Sequence, residues 1–270
     1  MARAASTSSS WAEHLGVHFL DAKAPPGMRL YAIGDVHGRL DLLERMHEAI
    51  AAEIARDRPD DWRVVHLGDY VDRGPASKGV LDLVADLTAR DPRMIALAGN
   101  HDIGMLDFLA SPATDGLFIR FGGIETARSY GVHLAPSAGR VVAMGEAALR
   151  EGHAALREAV PESHLDLLGA LPRCAEFGDF FFCHAGIRPG IPLARQSPED
   201  LIWIRRDFLD WPSPHPRVIV HGHTPCAQAE IMPNRVNVDT LAYETGRLTA
   251  LVVDGADKRI LEVAGRPAPR

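Results

Sequence analysis

The chain has no apolar run near the ~20 residues that a membrane-spanning helix needs, and the stretch around Leu251 to Val253 is only of strand length. Its first ten residues, MARAASTSSS, lack the apolar segment of a secretory signal. A cytoplasmic protein without a membrane partner is therefore expected. Cysteine is scarce. The three residues Cys174, Cys183 and Cys226 are odd in number and widely spaced, which excludes a disulfide framework and a thiolate zinc site and leaves reduced, structural thiols. Basic residues are outnumbered, 29 against 36, for a formal net charge of −7, and no basic run interrupts the acidic balance. A nucleic-acid partner is not expected on that ground. Aromatics are few as well: with four Trp and four Tyr, no clear pair stands ready to stack a base. What remains is ordinary globular material. The 270 residues, 46% hydrophobic and 24% charged, are enough for one large domain with a buried core.

Residues 1–27 read as a flexible extension, Ser-rich at its start and closed by the breaker Pro25-Pro26-Gly27. A single domain is expected over 28–270. Strand-like runs at Met28 to Ile33, Val64 to Leu67 and Met94 to Leu97 alternate with two helical patterns. One places Leu42, Met46, Ile50 and Ile54 on a face, the other Val80, Val84 and Leu87. Asp35, Asp69 and Asn100 recur at the roughly 30-residue interval of a βαβ unit, which predicts a parallel sheet with right-handed crossovers. Residues 103–172 read as a helical insert or cap. Further strands are expected at Phe180 to Cys183, Val218 to Val220, Val236 to Val238, Leu248 to Val253 and Ile260 to Val263, antiparallel near the C-terminus. The expected fold is α/β, with two mixed β-sheets in a sandwich flanked by helices.

Polar residues fall where chemistry in such a fold would sit. Five strand ends run into Gly34-Asp35-Val36-His37-Gly38, Gly68-Asp69-Tyr70-Val71-Asp72-Arg73-Gly74, Gly99-Asn100-His101-Asp102, His184-Ala185-Gly186 and His221-Gly222-His223-Thr224. The carboxyl ends of strands in an open sheet share one edge, so these strings converge. One Gly-Asp is a plain turn; five strings at successive strand ends, each with a hard or borderline ligand, are not explained by turns. Carboxylates and imidazoles without thiolate suit Mn, Fe or Zn, and Asp69, in the middle, can bridge two ions.

In order, GDVHG, GDYVDRG, GNHD, HAG and GHT span residues 34–224. They resemble the phosphoprotein phosphatase family of calcineurin-like metallophosphoesterases. Leu201-Ile202-Trp203-Ile204-Arg205 is similar to a segment of its phage and bacterial branch, which holds small protein phosphatases and symmetrical diadenosine tetraphosphate hydrolases. The resemblance implies that Asp35 and His37 hold the first of two divalent metals, that Asp69 bridges both, and that Asn100, His184 and His223 complete the second. Water or hydroxide shared by the two cations, which sit ~3.5–4 Å apart, then attacks phosphorus in line. His101 protonates the leaving oxygen, Asp72 orients its imidazole, and Arg73 and Arg205 hold the non-bridging oxygens.

Other residues carry plainer readings. His221 reads as a partner behind the ligands more than as a ligand, and Cys183 as a buried inert thiol. Arg206 reads as a surface residue with Asp207 to neutralise it or Arg205, and Asp102 as the cap of a helix beginning near Ile103. Trp203 reads as packing that positions Arg205, and His133, His153, His164 and His215 as ordinary surface residues. Pro225 stands where related nucleases place a second histidine, which favours the phosphatase branch. The leading expectation is a phosphomonoesterase acting on Ser/Thr- or Tyr-phosphorylated protein or a small phosphoester, with manganese first among the metals. The alternative is a symmetrical dinucleoside polyphosphate hydrolase. A binding module that keeps the fold without turnover is a third reading, which the complete set of ligands and His101 argues against.

Overall fold

Along the first strand, Leu30 and Ala32 point to one face and Tyr31 and Ile33 to the other, and all four are buried. A strand packed on both faces sits inside a sheet that is itself a middle layer. The computed structural model describes residues 16–113, 116–134 and 146–266. Its first half is β1 (Met28–Ile33), α1 (Leu40–Asp57), β2 (Asp61–His66), α2 (Ser77–Arg90) and β3 (Met94–Ala96). A helical stretch follows: α3 (Asn100–Ala110), α4 (Leu117–Arg120), α5 (Gly123–Ser129), α6 (Glu146–Ala159) and α7 (Glu162–Ala170). Then come β4 (Cys174–Phe177), β5 (Phe180–Cys183), α8 (Asp200–Trp203), α9 (Arg206–Leu209), β6 (Val218–His221), β7 (Glu230–Ile231), β8 (Arg235–Asn237), α10 (Ala242–Thr245), β9 (Arg247–Asp254) and β10 (Asp257–Ala264).

The strands form two five-stranded sheets, in the orders β10-β9-β1-β2-β3 and β4-β5-β6-β8-β7. β1, β2 and β3 are parallel, as the helical crossovers between them require. β9 and β10 add on antiparallel. In the second sheet β5, β6 and β8 are parallel and the edges β4 and β7 antiparallel. Both sheets are therefore mixed, as expected. Leu30, Val65 and Leu251 of one sheet meet Phe182, Val220 and Val236 of the other in a shared core. The opposite face of the first sheet packs on the apolar stripes of α1 and α2. Truncating a side chain such as Phe182, fully buried between the sheets, costs about 3–5 kcal/mol.

Several expectations are corrected. Residues 16–27 are not a loose extension: Val17 pairs with His215, and Phe19, Ala22 and Ala24 are buried in the inter-sheet core. The rest of the proposed extension, residues 1–15, lies outside the described residues. The short strands β4 and β7 were not expected. β4 arises because Gly178, at φ 58°, makes a tight turn that folds Cys174–Phe177 back on β5. α3 begins at Asn100, not near Ile103. His164 and His215 are buried rather than on the surface. His164 links the helical segment to α2, contacting Tyr130 Oη at 2.7 Å and Asp82 Oδ1 at 3.0 Å, and His215 stacks on Phe208. His153 is half-buried against the Leu109 carbonyl, and His133 is exposed. No helix among the described residues is long and apolar enough to cross a membrane.

Candidate metal centre

Strained backbone marks the strand ends. Seven non-glycine residues have positive φ among the described residues, and five of them are His37, Asp69, Asp72, Arg73 and His223. Left-handed conformations cost energy for such residues and persist where surrounding structure imposes them. Two glycines allow the strings to approach each other. A Cβ built at Gly222 would lie against Asp35 Oδ1, and one at Gly99 against Asp69 Oδ1, both far inside contact distance.

The turns bring together residues from the whole length of the chain. Ligand atoms of His37, Asp69 and His101 lie within 4.8 Å of one another, as do those of Asp69, His184 and His223, all buried. Asp69 Oδ2 is shared: it stands 3.5 Å from His37 Nε2 and 3.4 Å from His184 Nε2. Asn100 Oδ1 joins the second group, 2.9 Å from His184 Nε2 and 2.8 Å from His223 Nδ1. Carbonyls set the ring orientations. His37 Nδ1 is 2.8 Å from Val71 O and His184 Nδ1 3.0 Å from Leu67 O, so each donates its Nδ1 proton outward and turns Nε2 to the centre. The backbone N–H of His223 donates to Asp35 at 3.1 and 3.3 Å. Asp35 is buried in the same cluster but belongs to neither trio.

Charge explains what this arrangement can hold. Burial, then repulsion by Asp239, pushes the Asp35 pKa well up. Burial alone would lower His184, but Asp69 and Asp35 overcome it and raise the imidazole to about 9. Positive charge is thus stabilised at His184, whereas burial lowers the imidazole pKa values of His37 and His223 and keeps them neutral donors. Either tautomer of His223 leaves something unmet. With the proton on Nδ1, buried Nε2 has no partner. With it on Nε2, two lone pairs face each other at Asn100 Oδ1. Cations among oxygen and imidazole donors answer both needs, so the residues present fit a hard or borderline divalent ion.

Within the first trio, His101 turns its other ring nitrogen away, Nδ1 lying 2.6 Å from Asp72 Oδ2. Asp72 is fully buried, and its pKa is raised by that burial. Arg73 donates from Nη1 to His37 Nε2 and from Nη2 to His101 Nε2, each at 2.9 Å. Arg205 is exposed and reaches the His223 carbonyl at 3.4 Å.

All ten residues expected to do the chemistry therefore lie in or beside one cluster. His221 does not join it. β6 ends at His221 and His223 turns to φ 63°, so the two do not share a strand face. His221 Nδ1 faces the Gly222 carbonyl and its ring packs on Phe208. Asp102 caps more than a helix. Its carboxylate accepts the N–H groups of Gly99, Asp69 and Tyr70, tying two of the loops together. Cys183 is buried, and burial raises its pKa. Asp207 pairs with Arg188 rather than with Arg205 or Arg206. Trp203 is exposed.

Three functional neighbours were missed. Asp239 is buried beside Asp35. It follows the expected strand Val236 to Val238 as Asp35 follows the first strand, so the same rule could have found it. Thr126 of α5 donates to Asp72 Oδ1 at 2.9 Å and accepts the Asp72 N–H at 2.8 Å. Tyr243 stands edge-on to His37 and under Arg73. Neither of the last two carried a local signal.

The model of the calcineurin-like phosphoesterase family matches residues 28–253. An asymmetrical bis(5'-nucleosyl)-tetraphosphatase of Bacillus thuringiensis is 25% identical over 245 residues, covering 83% of this chain and 90% of its own. A symmetrical bis(5'-nucleosyl)-tetraphosphatase of Dechloromonas aromatica is 42% identical over only 79 residues, 29% of this chain and 26% of its own. A crystal structure described as a putative diadenosine tetraphosphatase shares the fold, with a TM-score of 0.61 at 20% identity over 91% of this chain and 99% of that one.

Proposed function

The chain belongs to the calcineurin-like phosphoesterase family, and from that premise we propose that its buried cluster is a two-cation centre for phosphoester hydrolysis. Asp35 and His37 would hold one cation, Asn100, His184 and His223 the other, and Asp69 both. The single observation that carries this reading is Asp69 Oδ2 standing 3.5 and 3.4 Å from imidazole nitrogens of two separate groups. Manganese suits the oxygen and imidazole donors, with iron and zinc acceptable to the same set. Bound cations supply Lewis acidity and make water a nucleophile near neutral pH.

The chain's own groups do the rest. Arg73 and Arg205 present guanidinium forks to the non-bridging oxygens of the phosphate. Arg73 turns to them from His37 Nε2, the nitrogen a cation needs. His101 gives a proton from Nε2 to the leaving oxygen while Asp72, steadied by Thr126, holds the proton on Nδ1. No cysteine or serine nucleophile stands in the cluster, so direct attack by water, without a phosphoenzyme, is the step these residues serve.

Dinucleoside polyphosphates are the favoured substrate class. That choice reverses the order expected from sequence and is supported by relatives named as tetraphosphatases that match most of the chain. The line of His101, Asp72 and Thr126 favours a second reading, monoesters of Ser, Thr or Tyr on protein. An alkoxide needs a proton to leave, whereas a nucleotide's phosphate, with a pKa of about 6, does not. A panel run with the manganese-loaded protein tests both. Diadenosine tetraphosphate and phosphopeptides are compared by kcat/KM, and the dinucleotide products are separated to show symmetrical or asymmetrical cleavage. Preference for phosphopeptides overturns the first reading, and inactivity on every phosphoester with two metals bound overturns the centre itself.

A further inference from the structure

The rim of the centre carries an aromatic side chain that the chemistry above does not use. In the run Leu201-Ile202-Trp203-Ile204, three side chains are buried and Trp203 leaves 42% of its surface exposed. Burying a large aromatic contributes heavily to stability. Exposure of one indole is ordinary in itself; its position and its charged neighbours are what point to a ligand. Its position narrows the choice. The ring stands edge-on to His223, centroids 6.0 Å apart, and so borders the second trio of the centre.

Trp203 lines a cavity of about 410 Å³ whose walls include Arg188, Arg205 and Arg206. Two aspartates of the same wall are already engaged: Asp200 and Asp207 both pair with Arg188, at 2.7 and 3.0 Å. Arg205 and Arg206 make no ion pair among the described residues, and Glu199 is the remaining carboxylate on that wall. Beside the reacting centre the molecule thus presents a partly exposed indole and two guanidinium groups without carboxylate partners among the described residues. A phosphopeptide brings one phosphate, which Arg73 and Arg205 already serve. A further guanidinium beyond them has an anionic partner only if the substrate carries more phosphates, and an indole face beside them suits a purine.

We infer that Trp203 is the stacking platform of a nucleobase subsite, with Arg206 on the phosphate chain that leads from the base to the centre. The inference rests on the dinucleotide reading of the active site and names how that substrate is recognised. It assigns Trp203 a role in binding, separate from the earlier expectation that it merely positions Arg205.

Calorimetry tests it by binding rather than by rate. AMP and ribose 5-phosphate carry the same phosphate and differ in the base. Titrated into the manganese-loaded protein, AMP is expected to bind about tenfold tighter or more. Trp203→Ala should collapse that ratio toward one, and Trp203→Phe should keep most of it. Arg206→Gln should weaken ATP more than AMP. Equal affinities for the two ligands in the native protein, or a preference that survives Trp203→Ala, overturns the subsite. The two ideas fail separately. A Trp203-dependent preference for AMP in a protein that cleaves only phosphopeptides sinks the dinucleotide reading and keeps the subsite. Cleavage of diadenosine tetraphosphate with no role for Trp203 does the reverse.

Discussion

His101 turns its Nδ1 proton onto Oδ2 of Asp72 across 2.6 Å, and the other oxygen of that carboxylate is held at 2.9 Å by Thr126. The three side chains come from the GNHD turn, the DRG turn and a helix of the inserted segment. They make one line that can support an imidazolium whose Nε2 faces the cluster. Asp72→Asn should lower kcat about 10²–10³-fold on alkyl phosphates, where the leaving oxygen needs a proton. The loss should be much smaller on 4-nitrophenyl phosphate. Thr126→Val should act in the same direction, by about tenfold. Equal losses on both kinds of leaving group would remove His101 from the role of acid.

Asp69 is the hinge of the metal proposal because one of its oxygens serves both groups. Asp69→Asn is expected to reduce bound metal from about two per chain toward one or none and to lower activity by about 10³ or more. His223→Ala should remove only the second ion. Metal content measured after exhaustive dialysis checks both variants. Two ions retained in Asp69→Asn would refute a bridging carboxylate.

Gly222 lies so near Asp35 that a methyl group there meets Oδ1. Gly222→Ala should therefore displace Asp35 or the His223 turn and cut activity by at least about 10², while the far-ultraviolet circular dichroism stays native. A fully active variant would show that Asp35 need not be held where the turn holds it.

Stability at mildly acid pH should depend on a histidine pair away from the centre. His47 Nε2 and His66 Nε2 lie 2.9 Å apart, and burial lowers the two to about 3 and about 4 from an ordinary 6.5. Both are neutral when folded and take up protons near pH 6.5 when unfolded. Their contribution is complete above pH 6.5 and is lost as pH falls through 4 toward 3. The limiting slope is about 1.4 kcal/mol per proton per pH unit. Urea unfolding of metal-free protein at pH 7, 6 and 5 should show that decline, and His47→Gln should flatten it. Parallel curves for the two proteins would exclude the pair.

Much of the site was readable because its parts obey a local rule. Asp35, Asp69 and Asn100 each follow an apolar run and a glycine, and a strand end in a parallel sheet faces one common edge. Asp239 obeys the first half of that rule at Val238 and escaped only because no glycine announces it. Thr126 obeys no local rule at all. It reaches Asp72 because α5 packs beside α2, a fact written in no short stretch of sequence. The burial of His164 and His215 is of the same kind: no motif surrounds them in sequence, and their partners lie across the fold. Residues 16–27 looked like a tail because apolar spacing is sparse there, yet Phe19, Ala22 and Ala24 fill the inter-sheet core.

Sequence alone determined which ligand types occur, at what intervals, and hence that strands of the first sheet would deliver Asp35, Asp69 and Asn100 to one edge, whereas His184 and His223 follow strands of the second sheet. Apolar periodicity and turn residues act over a few neighbours, and such information survives in a linear string. The tertiary structure decided which groups actually face each other: that one oxygen of Asp69 serves two groups, that Asp239 raises Asp35, that Thr126 steadies Asp72, and that Trp203 stays in the open. Those relationships depend on how layers distant along the chain pack together, and only a closed arrangement of sheets and helices settles distances of a few ångströms between them.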